Sequence, residues 1–138
     1  MLFQNKSICQ INQKIIVSSE NKKTHTANNV EGCNVFQYKI DGDIIPTTSP
    51  EVRCDYLVEN ETKQTAYLIE LKGTDLLHAV EQIEATITKY SVQLRSYAIK
   101  PRIIYRANTH AVQQSKVSKF KIKYKDCVIK TECFSENI

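Results

Sequence analysis

Residues 66–106 read AYLIELKGTDLLHAVEQIEATITKYSVQLRSYAIKPRIIYR, and their pattern decides the fold. Residues 66–71 form a short apolar run broken only by Glu70, which predicts a central strand. Lys72-Gly73-Thr74-Asp75 then punctuates the pattern. Thr74 reads as a helix N-cap, and Asp75 suits the positive end of a helix dipole. From about residue 75 to about residue 94, Leu76, Val80, Ile83, Ile87, Tyr90 and Leu94 recur at alternating spacings of four and three, which makes one apolar stripe along a helix. Residues 101–106, PRIIYR, predict a further strand. A strand–helix–strand crossover of this length favours parallel pairing of the two strands.

Upstream, residues 52–58 (VRCDYLV) read as a strand joined to 66–71 by the polar connection ENETKQ, an antiparallel hairpin. Residues 35–45, VFQYKIDGDII, alternate around Asp41-Gly42, a hairpin signal. Residues 46–50, PTTSP, read as a loop. Residues 1–34 say least: Ile11, Ile15, Ile16 and Val17 fit a short helix or strand, and the polar stretch 18–29 reads as a loop. Downstream, residues 120–124 and 127–129 predict a final hairpin turning at Lys125-Asp126. The expectation is an α/β domain with a mixed sheet, a basic C-terminal β-hairpin and no internal repeat, spanning residues 1–138 as a single unit.

Composition fits that expectation. The chain is 41% apolar and 25% charged, typical of a soluble globular protein with a core to bury. No apolar run approaches the length of a membrane span, and the first residues lack the pattern of a signal peptide. The five cysteines include no CxxC pair, so they read as reduced thiols of a cytoplasmic protein without structural zinc. From residue 100 onward nine Lys/Arg face three Asp/Glu, a net +6, which leaves −2 on residues 1–99. A basic tail on an acidic body can steer a polyanion. Lys119, Lys121, Lys123 and Lys125 alternate with Phe120, Ile122 and Tyr124, which on a strand puts four lysines on one face, able to contact phosphates. The same row would also protect a sheet edge from aggregation.

The charges that need a reason are Asp55, Glu70 and Lys72. Glu70 and Lys72 are two apart on a strand and point to one side, and the hairpin returns Asp55 beside them. A charge in so apolar a strand is costly without a purpose. Two carboxylates and an ammonium at a strand end suit Mg²⁺ or Mn²⁺, which takes oxygen ligands and keeps several waters. Such a metal activates water for phosphodiester hydrolysis; Lys72 would orient that water or offset charge, and the Leu71 carbonyl offers another oxygen ligand. On the following helix Asp75, His78 and Gln82 share a polar face away from the stripe, which for His78 also fits plain solvation. Asp41 and Asp43 read as turn residues.

With these residues in place, the chain resembles the PD-(D/E)XK, or restriction-endonuclease-like, nuclease superfamily. Cys54-Asp55 matches the first motif, with cysteine where the motif's name has proline, and Glu70-Leu71-Lys72 matches the second. The superfamily's helix–strand–strand–strand–helix–strand order fits about residues 10–106. The resemblance implies a mixed central sheet flanked by helices and a metal-dependent nuclease acting on nucleic acid, DNA first. It implies Asp55 and Glu70 as metal ligands and Lys72 as the catalytic lysine. It also implies a helix glutamine, here Gln82, reaching the active site. An N-terminal acid often completes such sites; Glu20 and Glu31 are the candidates, with Glu20 preferred as a helix residue before the first strand. A nuclease this small often cuts both strands as a homodimer. The competing readings are a non-catalytic nucleic-acid-binding or assembly module on the same fold, and a factor with a stable protein partner in phage defence or a mobile element.

Overall fold

The computed structural model describes residues 1–71, 74–106 and 115–138. They form a mixed α/β fold with strands β1 (Ile15–Glu20), β2 (Lys23–Asn28), β3 (Val35–Lys39), β4 (Tyr56–Asn60) and β5 (Thr65–Leu71), helix α1 (Leu76–Lys89), β6 (Ala98–Tyr105), helix α2 (Ser115–Lys123), β7 (Val128–Thr131) and β8 (Cys133–Asn137). The strands make two open mixed sheets, ordered β3-β4-β5-β6-β7 and β1-β2-β8. No helix among the described residues is long and apolar enough to cross a membrane.

The expected centre is present. All seven residues of β5 are buried, as a strand covered on both faces must be. It pairs antiparallel with β4, Tyr56 opposite Ile69, and parallel with β6, Glu70 in register with Ile103. Its alternate faces feed two cores. Ala66 and Leu68 join Leu57, Ile103, Val80, Ile83 and Phe120 under the helices. Tyr67, Ile69 and Leu71 join Ile16, Ala27, Val58 and Ile138 between the sheets. Helix α1 buries Leu76, Ala79, Val80, Ile83 and Thr86, and Asp75 rather than Thr74 caps it, accepting from the His78 amide at 2.9 Å. The helix stops at Lys89, yet Leu94 stays buried beyond its end.

Three expectations are corrected. Residues 18–29 are no loop: they hold most of the β1–β2 hairpin, turning at Asn21 and Lys22, whose φ values of 48° and 65° are those of a two-residue primed turn. Its polarity hides the strand, because His25 faces the interior and its Nε2 meets Glu136, a residue far away in sequence. The first element is therefore a strand and not the helix that the resemblance places there. The Asp41-Gly42 hairpin does not form either. Strand β3 ends at Lys39 and the chain folds back over residues 40–45, because Ile40 and Ile45 both sink into the core. The basic C-terminal β-hairpin is replaced by α2, with Lys119, Lys121 and Lys123 on a helix and Lys125 just past it. Val117, Phe120 and Tyr124 already follow helical spacing, and burial of Val117 and Phe120 against the core outweighs the alternation of 119–124.

The two sheets are tied by a buried ionic cluster. Arg102, 4% exposed, meets Glu136 through two bonds of 2.6 and 2.9 Å, and His25 Nε2 lies 2.7 Å from the same carboxylate. At Glu132 the chain passes from β7 to β8, that is, from one sheet to the other. All five cysteines are free thiols.

Candidate functional site

Asp55 stands immediately before β4, one residue beyond the Tyr56–Ile69 pair that ends the register with β5. Its amide donates to the Ile69 carbonyl at 3.1 Å, and its Oδ2 accepts from the Leu71 amide at 2.8 Å. Asp55 is 6% exposed and Glu70 1%. Glu70 alternates with Ala66 and Leu68 along β5, so the two expected carboxylates lie at the same end of the central strand, just before α1. The neighbouring Cys54 thiol responds to both: burial pushes its pKa up, and the charges of Glu70 and Asp55 push it further. Lys72, the third expected member, lies outside the described residues.

The preferred N-terminal acid reaches the site, from a strand rather than a helix. Glu20 ends β1, where Tyr56 Oη donates to the preceding Ser19 carbonyl at 3.4 Å and fastens β1 over the start of β4. Glu20 is solvent-exposed, yet partial desolvation and the adjacent Asp55 carboxylate raise it to about 7, through charge repulsion and a hydrogen bond shared by the two acids. Glu31 instead pairs with Lys63, away from the cluster. Asp41 is held by Arg53 at 2.9 Å, so its role is to anchor the segment leading to Asp55. Arg53 also donates to the carbonyls of Pro46, Ser49 and Glu51, which pins the long connection between β3 and β4.

Gln82 is close to the site but is turned to the backbone: its Nε2 donates to the Arg53 carbonyl at 3.0 Å. His78 is 43% exposed with Nδ1 3.7 Å from Glu81, as a solvated helix face predicts. The residue that sequence reasoning misses is Thr86, fully buried and accepting from the Cys54 amide at 2.8 Å. A hydroxyl amid an otherwise apolar stripe is its only signal. Glu59, also fully buried, is no second site: Tyr38 and Tyr97 donate to it at 2.7 and 2.5 Å and the Leu2 amide at 2.9 Å.

The lysines of α2 are exposed, and Lys116 contacts Glu81 of α1 at 3.2 Å. Since α1 starts where β5 ends, this lays the basic helix alongside the helix that leaves the candidate site.

Among the described residues, no three His, Cys, Asp or Glu side chains stand together as a ready-made metal-ligand group. The donor chemistry nevertheless fits a hard cation. The Asp55 carboxylate raises the pKa of the neighbouring Glu20, and a divalent cation between the two would relieve that repulsion. Comparison with protein-family models, with curated proteins and with solved structures finds no match.

Proposed function

We propose that this chain is a metal-dependent nuclease that hydrolyses phosphodiester bonds in nucleic acid, DNA in the first instance. The observation that supports the reading is the pairing of Glu20 with Asp55 beside the end of the fully buried strand that carries Glu70. In this reading Asp55, Glu70 and Glu20, with the Leu71 carbonyl, hold Mg²⁺ or Mn²⁺. The bound ion supplies Lewis-acid polarisation of the phosphoryl oxygen and a water of lowered pKa. Lys72 orients that water and offsets charge on the phosphate. The exposed lysines of α2 hold the flanking phosphates, so that the scissile group is presented to the carboxylates and not merely near them. The resemblance of Cys54-Asp55 and Glu70-Leu71-Lys72 to the nuclease motifs supports the same assignment.

The test is cleavage of plasmid and of oligonucleotide substrates with Mg²⁺ or Mn²⁺ by the wild type, Glu70→Ala and Lys72→Ala. The expected result is metal-dependent cleavage that falls by at least about a hundredfold in both variants. Equal activity in all three, or binding that persists in EDTA without turnover under any metal, overturns catalysis; the second outcome would leave a nucleic-acid-binding module.

A further inference from the structure

One helix grips both polar ends of the peptide that leads into Asp55. Gln82 Nε2 donates to the Arg53 carbonyl at 3.0 Å, and the Cys54 amide donates to Thr86 Oγ1 at 2.8 Å. That carbonyl and that N–H belong to the same peptide unit. A trans peptide points them in opposite directions, so the unit lies along α1 with its carbonyl toward Gln82 and its N–H toward Thr86, one helical turn on. The Thr86 hydroxyl closes the arrangement by donating to the Gln82 carbonyl at 2.9 Å.

We infer that Gln82 and Thr86 are positioning residues for Asp55, fixing the peptide before it and so aiming its carboxylate at the strand end it shares with Glu70. Three observations carry this. The chain between β3 and Asp55 joins neither sheet, so the residues entering the site are held by Arg53 from one side and by this pair from the other. Thr86 is fully buried where an apolar residue would otherwise complete the stripe, and a buried hydroxyl is tolerated there only because it is bonded both as donor and as acceptor. Cys54 supplies an N–H that proline, the residue in the motif's name, lacks; proline here would leave Thr86 Oγ1 without that donor. The clamp on the Arg53–Cys54 peptide acts one residue before Asp55, whose amide is held by the Ile69 carbonyl and whose Oδ2 accepts from the Leu71 amide.

The inference rests on the reading of Asp55 as a site residue, and its primary test needs no metal. Amide hydrogen exchange is followed by NMR on the full chain in EDTA for wild type, Thr86→Val, Thr86→Ser and Gln82→Met, with folding checked by circular dichroism. The expected result is exchange of the Leu71 amide faster by about tenfold in Thr86→Val and Gln82→Met, restored in Thr86→Ser, with amides at the Leu57–Leu68 pair unchanged. Mn²⁺ affinity in Thr86→Val should fall in parallel by about tenfold. Should Thr86→Val not fold, Gln82→Met gives the same readout. A selective Leu71 effect in a wild-type background that neither binds Mn²⁺ nor cleaves upholds the positioning role while removing the nuclease reading. Wild-type exchange at Leu71 in folded variants, or a uniform rise across the sheet that serine does not rescue, overturns it.

Discussion

The Leu71 amide donates to Asp55 Oδ2 at 2.8 Å, which gives one carboxylate oxygen a structural task and leaves the other to the acidic cluster. Asparagine can keep the first task while losing the charge; alanine loses both. Asp55→Ala should therefore cost roughly 1–3 kcal/mol of stability, the usual penalty for a buried amide left without its acceptor, and Asp55→Asn clearly less. Both should abolish Mn²⁺ binding. Urea denaturation and metal titration of the two variants measure this, and equal stability of the pair would contradict the bond's role.

Glu20 gives the site a pH dependence. Partial desolvation and the Asp55 carboxylate raise its pKa from 4.5 to about 7. Between those values the folded chain holds a proton that the unfolded chain has released, so this group's contribution to stability declines as pH rises from 4.5 toward 7. Glu20→Gln removes the repulsion and should gain thermal stability over the wild type across that window, with the gap constant above it. Binding of Mn²⁺ to the wild type should release protons below neutrality and strengthen with pH. Parallel melting curves of wild type and Glu20→Gln at every pH would show that the two acids do not interact.

Glu136 titrates with the opposite sign. Burial pushes its carboxyl up, but hydrogen bonds and charge from Arg102 and His25 outweigh burial and hold it at about 2. Its contribution is complete above its unfolded value near 4.5 and disappears as pH falls toward 2. Removing the carboxylate leaves Arg102 buried between the sheets, so Glu136→Gln should destabilise by about 3 kcal/mol at neutral pH. The difference from the wild type should close as the solution is acidified. Denaturant titrations at neutral pH and near pH 3 check both statements, and a difference independent of pH would refute the linkage.

What can be read in the sequence is what local pattern determines. Residues 66–106 combine an unbroken apolar strand with a helical stripe, so β5, α1 and β6 and their parallel crossover follow from periodicity alone. Asp55 and Glu70 follow from a hairpin of short connection. The rest depends on partners far away in sequence. Strand β2 carries a buried His25 whose Nε2 pairs with Glu136, and no local rule announces that pairing. Residues 119–124 satisfy both periods at once, and only burial of Val117 and Phe120 decides for the helix. Glu20 comes beside Asp55 while Glu31 does not, yet it does so from a strand, because the polar hairpin that carries it has no local signature. Thr86 shows in the sequence only as a hydroxyl amid apolar neighbours, which means nothing until the peptide it grips is known.

The change from strand to helix at α2 also changes which lysines act together. On a strand, Lys119, Lys121, Lys123 and Lys125 would form one row. On a helix, Lys116, Lys119 and Lys123 share one flank of the buried Val117 and Phe120, and Lys121 lies on the other, with Lys125 just past the helix end. Lys116 contacts Glu81, so its flank is the one turned to α1. If nucleic acid runs along that flank, replacing Lys119 and Lys123 with alanine should weaken duplex binding and lower the slope of log affinity against log salt by about 0.9 for each phosphate no longer neutralised. Replacing Lys121 and Lys125 should change the slope less, although the same charge is removed. Fluorescence anisotropy with a labelled duplex in EDTA, over a salt series, separates the flanks without interference from cleavage. Equal weakening by the two pairs would mean that α2 acts only through net charge and does not face the nucleic acid in a fixed orientation.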